Sequence, residues 1–379
     1  MSKYIIFVFE KMDMSGGPKM AAEFAMALSR SGWHVSALRR SESTPDSLKL
    51  EVILLTSGVT TYGPNKLDTL DSGMKILSWI IDLKPALIVA VYPNDLLVCA
   101  PAALLVGASL IFYDQNQKHF GGGVCKQAAK ILAISLLIKM AAGRIIAVST
   151  AVKAEMVKRA GHSPLDIAVV LPGVVPPSAL FTDQVDNKVI TFINVGRLDL
   201  QKGQHILLKA FERLIYSTCE SVRLLLIGGP TEGVESSEKY AENLRTMVKD
   251  SQLTGAVELL GWRNDVASIL EKADVYVHAA LWEGFPLSVM EAMLYGRPTI
   301  FTDCSGYPPR LDSGTAIVVK AGDDEALFKA MEKIVQMNII DRIQMGRLAR
   351  EYALREFSLD VCTTRLVNLA SIELCQKII

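Results

Sequence analysis

The chain has 379 residues, half of them hydrophobic and 21 % charged, with 40 Lys plus Arg balanced by 40 Asp plus Glu. That length exceeds one comfortable core, so two domains are expected, and the composition excludes a disordered or fibrous chain. A formal net charge of zero argues against nucleic acid as a partner, which calls for a basic excess.

The opening MSKYIIFVFEKMDM holds an apolar run too short for the core of a secretory leader, and charge follows it. It reads as a first β-strand. Further short apolar runs follow, each ending at Gly, Ser or a polar turn: HVSAL, EVILL, ALIVAVY, SLIFYD, RIIAVS and IAVVL. Helix-like stretches such as PKMAAEFAMALSRSG and STAVKAEMVKRAG lie between them. Near-continuous Val/Ile/Leu strands alternating with helices predict a parallel sheet covered on both faces. The most lipid-like segment, KILAISLLIKMAAGRIIAV, is unbroken only from Ile131 to Ile138 and is flanked by Lys130 and Lys139. That is well short of the ~20 residues of a spanning helix, so none is expected.

A Pro-rich interruption, LPGVVPPSALFTDQVDNK, places the main linker near Pro176–Asp186. The same grammar then restarts with VITFINVG, VRLLLIGG, AVELLG, DVYVHAA, PTIFTD and AIVVK. The fold class expected is α/β, with two Rossmann-like doubly wound domains, 1–178 and 179–359, facing a central cleft at the carboxyl ends of both sheets. After Asp323 the chain reads as helical, and a last helix, about 360–379, is expected to pack back on the first domain. Six scattered cysteines, none at Cys-x-x-Cys spacing, read as thiols in a reducing compartment.

Four loops of the second half could carry chemistry. In NVGRLDLQKG, Gly196 ends a strand, Arg197 follows, and Lys202-Gly203 precede a helix. A guanidinium fork and a compact ammonium together suit a diphosphate, although a salt-bridged loop would use the same residues. In LLLIGG, Gly228 and Gly229 allow a ligand close to the backbone. In LLGWRNDV, Gly261 and Trp262 end a strand where a base could be read, or where a Trp could be core. In LWEGFPLSVMEAM, Glu283 precedes the Gly284-Phe285-Pro286-Leu287 turn, and Glu291 lies eight residues on. A helix tip favours anions and carboxylates accept from hydroxyls. Ser288-x-x-Glu291 also fits a capping box, which would give Glu291 a purely local task.

The segments VGRLDLQKG, LLLIGG, LLGWRNDV and EGFPLSVMEAMLYGRP, in that order and spacing, resemble the signature of the retaining GT-B glycosyltransferases of family GT4. MSGGPKMAAEFAMALSRSGWHVSAL is similar, more loosely, to that family's N-terminal glycine loop, helix and second strand. RIIAVSTAVKAEM is similar to its late N-domain segment, so the resemblance covers nearly the whole chain. It implies an acceptor-binding N-terminal domain, a nucleotide-sugar-binding C-terminal domain, and transfer of a sugar with retention of configuration. On that resemblance Arg197, Lys202 and Glu283 would be catalytic: the cations neutralise the departing diphosphate, and Glu283 holds sugar hydroxyls with the Gly284 and Phe285 backbone. Glu291 would hold the ribose, amides around Pro286, Leu287 and Ser288 the phosphates, and Trp262 and Arg263 would border the base. Gly196, Gly228 and Gly229, with Gly16 and Gly17 from the first domain, would complete the donor site.

Members of the family often carry a histidine at the end of an N-domain strand. Here LIFYDQNQKHFGGG offers Asp114 and Gln115 at that place and His119 beyond, all three acceptor-side candidates. No Asp-x-Asp occurs in the chain, so no metal and no cofactor is expected. Uridine is the commonest base among relatives, which points to a UDP-sugar donor. The acceptor classes are a saccharide, a lipid-linked saccharide or a small molecule. Eight Lys or Arg against Glu155 alone between residues 118 and 159 suit peripheral contact with an anionic bilayer; a buried helix with solvated lysines at its ends would look the same. The location expected is cytoplasmic, with peripheral contact at the inner membrane face. The competing functions are a nucleotide-sugar 2-epimerase on the same fold and a sugar-nucleotide binder without catalysis.

Overall fold

The computed structural model describes residues 4–12, 16–42, 44–64, 69–114, 124–141, 143–160, 162–177, 189–249, 251–304, 311 and 314–376. It divides into two compact units, Met1–Gly173 with Leu359–Ile379, and Val174–Ser358.

Unit 1 alternates strands and helices: β1 (Tyr4–Phe9), α1 (Gly16–Arg30), β2 (His34–Arg39), α2 (Pro45–Thr56), β3 (Thr60–Tyr62), α3 (Thr69–Leu83), β4 (Leu87–Ala90), α4 (Leu96–Val106), β5 (Ser109–Asp114), α5 (Val124–Met140), β6 (Arg144–Ala147), α6 (Thr150–Ala160) and β7 (Ile167–Val169). The strands form one sheet in the order β3-β2-β1-β4-β5-β6-β7, with every pairing parallel. Strand order therefore reverses between β1 and β4. Phe24 of α1 meets Tyr113 of β5 edge-on at 5.7 Å, one of the contacts that fasten helix to sheet.

Unit 2 repeats the plan: β8 (Val189–Val195), α7 (Gln204–Ser217), β9 (Ser221–Ile227), α8 (Glu235–Lys249), β10 (Val257–Gly261), α9 (Val266–Lys272), β11 (Val275–His278), α10 (Leu287–Leu294), β12 (Thr299–Asp303), β13 (Ile317–Lys320), α11 (Asp324–Gln336) and α12 (Ile339–Phe357). Its sheet runs β10-β9-β8-β11-β12-β13, again all parallel, and reverses between β8 and β11. Phe192, Val275 and Val277 from the strands pack with Leu207, Phe211 and Leu214 of α7 in one core. Each such side chain contributes roughly 1.5–3 kcal/mol by leaving water. The final helix, α13 (Leu359–Gln376), belongs to unit 1. A Cβ on Gly173 would lie 2.7 Å from the Leu359 Cα, so a bare backbone lets the helix start there.

One element differs from the sequence reading. EVILL, expected as a strand, is the second half of α2. The Thr44 hydroxyl accepts the Ser47 N–H at 3.1 Å while the Ser47 hydroxyl accepts the Thr44 N–H at 2.7 Å, and Pro45 opens the helix. That capping box and an N-terminal proline favour a helix start. Leu50 and Leu54 then fall on one buried face, leaving Val52, Ile53 and Leu55 exposed. The short β3, whose sequence is only TTY, supplies the edge strand instead.

At the reversal point of unit 1, Asp95 is fully buried. Its Oδ2 accepts the N–H groups of Tyr92 at 2.9 Å and Glu10 at 3.1 Å, and Arg40 Nε lies 2.8 Å from Oδ1. Burial pushes this carboxyl up to about 7 against the pull of Arg40 and the two amides. A folded-state value above the unfolded one gives a contribution that is full below about pH 4 and is lost as pH rises through about 7. The stability of wild type minus that of Asp95→Asn should therefore fall between about pH 4 and pH 7 in thermal melts; a constant difference contradicts this assignment.

Gly346, inside α12, tests the packing of α12 beside α10. A helix-interior Gly→Ala change ordinarily gains up to about 1 kcal/mol. Here the new Cβ would meet the Gly296 carbonyl oxygen at 2.1 Å. Gly346→Ala should instead destabilise unit 2 by about 1–3 kcal/mol, read as a lowered Tm.

Candidate functional site

Apart from Gly16 and Gly17, which belong to unit 1, the members of the expected donor set lie at or just beyond the carboxyl ends of the unit 2 strands. In open α/β sheets ligands bind there, where the strand order reverses. The ladder between β8 and β11 is short, with partners only at Val275↔Phe192 and Tyr276↔Ile193. Beyond it the Asn194 side chain donates to the Val277 carbonyl at 2.7 Å, so a side chain bridges the two strands where their ladder has ended.

The loop after β8 is pinned from both sides. Gly196 N–H donates to the Ile227 carbonyl and Leu198 N–H to that of Gly229, each at 2.9 Å, and Gly228 N–H donates to Gly261 at 2.9 Å. These bonds lace the ends of β8, β9 and β10 together. Gly228 has φ +130°, and a Cβ there would strike the Gly196 carbonyl oxygen at 2.0 Å. Only glycine permits the crossing.

A single 3-10 turn, Leu200–Lys202, follows, with Asp199 accepting from Gln201 N–H at its start. Gly203 closes it at φ +65°, so near the end of β11 that a Cβ would lie 2.1 Å from the Ala279 carbonyl oxygen. Leu281 N–H donates to the Gln201 carbonyl at 2.8 Å. The Lys-Gly pair thus lets the turn dock on the segment carrying Glu283. Lys202 Nζ donates to Glu283 Oε1 in an ion pair. Gln201 Nε2 donates to the Trp282 carbonyl at 2.9 Å and to Glu283 Oε2 at 3.4 Å. Glu283 is buried. Burial alone would raise its carboxyl, but Lys202, helped by His278, holds it down at about 2.

Arg197 is half-exposed, with Nη2 3.3 Å from Asp199 Oδ2 and Nη1 donating to Thr231 Oγ1 at 3.3 Å. The buried Gln204 amide fixes its backbone by donating to the Arg197 carbonyl at 2.8 Å. Both cations therefore have carboxylate partners, as the salt-bridged alternative expected, and the site holds no bare charge at either. Trp262 is 65 % exposed, so it is not core. Its indole N–H donates to the Pro230 carbonyl at 3.3 Å, and the ring covers Gly229, where a Cβ would meet Nε1 at 2.5 Å. Arg263 is committed to Asp265 through a fork at 2.8 and 2.6 Å.

In the loop before α10, Phe285 turns inward, its ring 5.6 Å from Phe357, leaving the backbone of that stretch as its polar face. The helix opens at Leu287 after Pro286, without a side-chain cap. The capping box that the Ser288–Glu291 spacing also fits does not cap this helix. Ser288 Oγ pairs with the Tyr276 hydroxyl at 2.7 Å, tying the first turn to β11. The structure thus brings Gln201, Lys202, Glu283 and His278 together, Arg197 with Asp199 and Thr231, and Trp262 with Gly229. Gln201, Gln204, Thr231 and His278 were not on the list drawn from sequence. His278 alone had a signal: Tyr276 and His278 alternate with Val275 and Val277, and only the latter two join the core.

Among the acceptor-side candidates, Asp114 is buried at the end of β5, whereas Gln115 and His119 lie outside the described residues. Gly16 and Gly17 open α1 after β1. Among the described residues no group of three or more His, Cys, Asp or Glu converges in a way that could hold a metal ion.

The family model for glycosyl transferases group 1 matches residues 180–352, and that for glycosyltransferase family 4 matches residues 14–176. An uncharacterised glycosyltransferase of Methanocaldococcus jannaschii is 32 % identical over 117 residues, 31 % of this chain and 27 % of that protein. The Escherichia coli UDP-Gal:alpha-D-GlcNAc-diphosphoundecaprenol alpha-1,3-galactosyltransferase is 36 % identical over 115 residues, 30 % of this chain and 28 % of that protein. The matched stretches thus span under a third of either curated relative. Anabaena HepE, solved in complex with UDP, superposes with a TM-score of 0.81 at 17 % identity, covering 97 % of this chain and 99 % of that one. Two adjoining family matches and a shared two-sheet architecture lead to one conclusion: the chain belongs to the family 4 glycosyltransferases, which have the GT-B fold.

Proposed function

We propose that the chain transfers a sugar from a nucleoside-diphosphate donor, with uridine the expected base, to a hydroxyl of a saccharide, lipid-linked or small-molecule acceptor. Configuration is retained and no metal takes part. The observation that carries this reading is the Lys202–Glu283 pair at the β8/β11 reversal, with Arg197 on the same loop. A departing diphosphate builds negative charge on its leaving oxygen, and preplaced cations lower that barrier directly. They also do the work for which a divalent ion would otherwise be needed.

In this reading Lys202 and Arg197 face the phosphates, and Glu283 with the Gly284–Phe285 backbone faces the sugar. Amides from Pro286 to Ser288 touch the phosphates, Glu291 holds the ribose, and Trp262 stacks near the base beside Gly228 and Gly229. Arg263, already forked on Asp265, serves as a border. Unit 1, with Gly16, Gly17 and Asp114, takes the acceptor. The donor class draws support from the UDP complex of HepE, and the acceptor class from the diphosphoundecaprenol substrate of the Escherichia coli relative.

Lys202 also compensates a buried carboxylate, so Lys202→Ala should lower stability by about 3–5 kcal/mol. Assayed in excess EDTA at a temperature where it remains folded, it should lose about 10²–10³ in turnover. Wild-type turnover in the folded variant removes the role. Isomer formed from donor alone would support the epimerase instead.

Peripheral binding to an anionic bilayer forms part of the proposal. α5 exposes Leu132, Leu136 and Met140 one turn apart, with Lys139 also exposed. Not every cation of the 118–159 stretch is available, since Lys153 donates to the Ile167 carbonyl at 2.7 Å. Among the described residues no helix is long and apolar enough to cross a membrane. The protein should co-float with anionic vesicles and lose that binding on Leu136→Glu; no flotation removes this part.

A further inference from the structure

His278 ends β11 and is 2 % exposed. Val275 and Val277 point into the core, whereas Tyr276 points to α10, where its hydroxyl pairs with Ser288. By strand alternation His278 shares that second face. Neither of its ring nitrogens has a hydrogen-bond partner among the described residues. Its Nε2 lies 3.6 Å from Glu283 Oε1, just beyond hydrogen-bonding range. A buried polar group left unpaired is destabilising, so fold stability does not account for this histidine.

Charge accounting around Glu283 supplies a reason. In the free protein its carboxylate is balanced by Lys202. On the donor reading given above, a diphosphate with two negative charges arrives beside that ammonium and competes for it. A buried carboxylate deprived of its cation is strongly destabilising. Among the described residues the charges that act on His278 are those of Glu283 and Lys202. Tyr276 is already bonded to Ser288 and to the Val195 carbonyl.

We propose that His278 is a positioning residue that takes over Glu283 when a sugar-nucleotide diphosphate draws Lys202 away. It takes up a proton from solvent and keeps it, the Nε2–H of the imidazolium donating a hydrogen bond to Oε1, so donor binding is coupled to proton uptake. No covalent bond is made or broken; neutral imidazole becomes imidazolium, and the carboxylate stays ionised and aimed at the sugar. Burial, and to a lesser degree the Lys202 charge, hold the His278 ring below its ordinary range, while Glu283 pulls the other way. Moving the ammonium away leaves the Glu283 attraction less opposed. The direction is set: the bound state holds more protons, so affinity rises as pH falls.

The test is calorimetric titration of wild type with UDP-glucose, GDP-mannose and ADP-glucose, whose diphosphates do not titrate near neutral pH. Each is run at about pH 7 in two buffers of different ionisation heat. Proton uptake is expected as a buffer-dependent enthalpy, with affinity rising by up to about tenfold per pH unit as pH is lowered. His278→Asn should remove both effects, even where it retains binding. Equal enthalpies in the two buffers for wild type overturn the proposal without needing a variant. Uptake that persists in His278→Asn overturns it too, by assigning the proton elsewhere. If none of the three donors binds, the donor reading itself fails and takes this inference with it.

Discussion

An ammonium and a carboxylate brought face to face at the point where a parallel sheet reverses its order is the constraint around which unit 2 is arranged. Lys202 and Glu283 come from loops that follow different strands, and they meet because Gly203 lets the 3-10 turn lie against the Ala279 carbonyl. A pair so far out of water gains little net stability, since desolvation offsets most of the attraction. Its value is organisational. It fixes the geometry of two loops whose backbones are already tied through Gln201 and Leu281, and it keeps each charge compensated until something stronger competes.

Around that pair the chain spends its special backbone positions on closeness. Gly228 crosses the Gly196 carbonyl, and Gly229 lies under the Trp262 indole. Bonds from residues 196, 198 and 228 stitch three strand ends into one platform. Carboxylates shadow the other cations as well: Arg197 has Asp199, and Arg263 has Asp265. Half-exposed Arg197 can redirect at little cost, because a solvent-screened ion pair is weak. The fork on Asp265 leaves Arg263 much less free to address a ligand.

The α/β class, the parallel sheets and the restart near residue 189 were legible because buried parallel strands read as short Val/Ile/Leu runs between turns. The site loops were legible for a related reason: Gly-Arg, Lys-Gly and Gly-Gly at strand ends state a backbone requirement as plainly as a chemical one. EVILL was misread because a short apolar run does not declare its period, and the deciding signal was the Thr44–Ser47 cap before it. The Ser288–Glu291 spacing suggested a local cap, but Tyr276, twelve residues away, bonds Ser288 instead. Gln201 and Thr231 owe their places to contacts between distant segments, and local pattern carries no trace of such contacts.

The return of α13 to the first unit has a consequence for biosynthesis. Unit 2 is one uninterrupted stretch, Val174–Ser358, whereas unit 1 needs Leu359–Ile379 in addition to Met1–Gly173. During vectorial synthesis domains tend to fold as they emerge. Here the segment that precedes unit 2 must wait for one that follows it, so the nascent second unit can close while the first still shows the surface on α1 that α13 will cover.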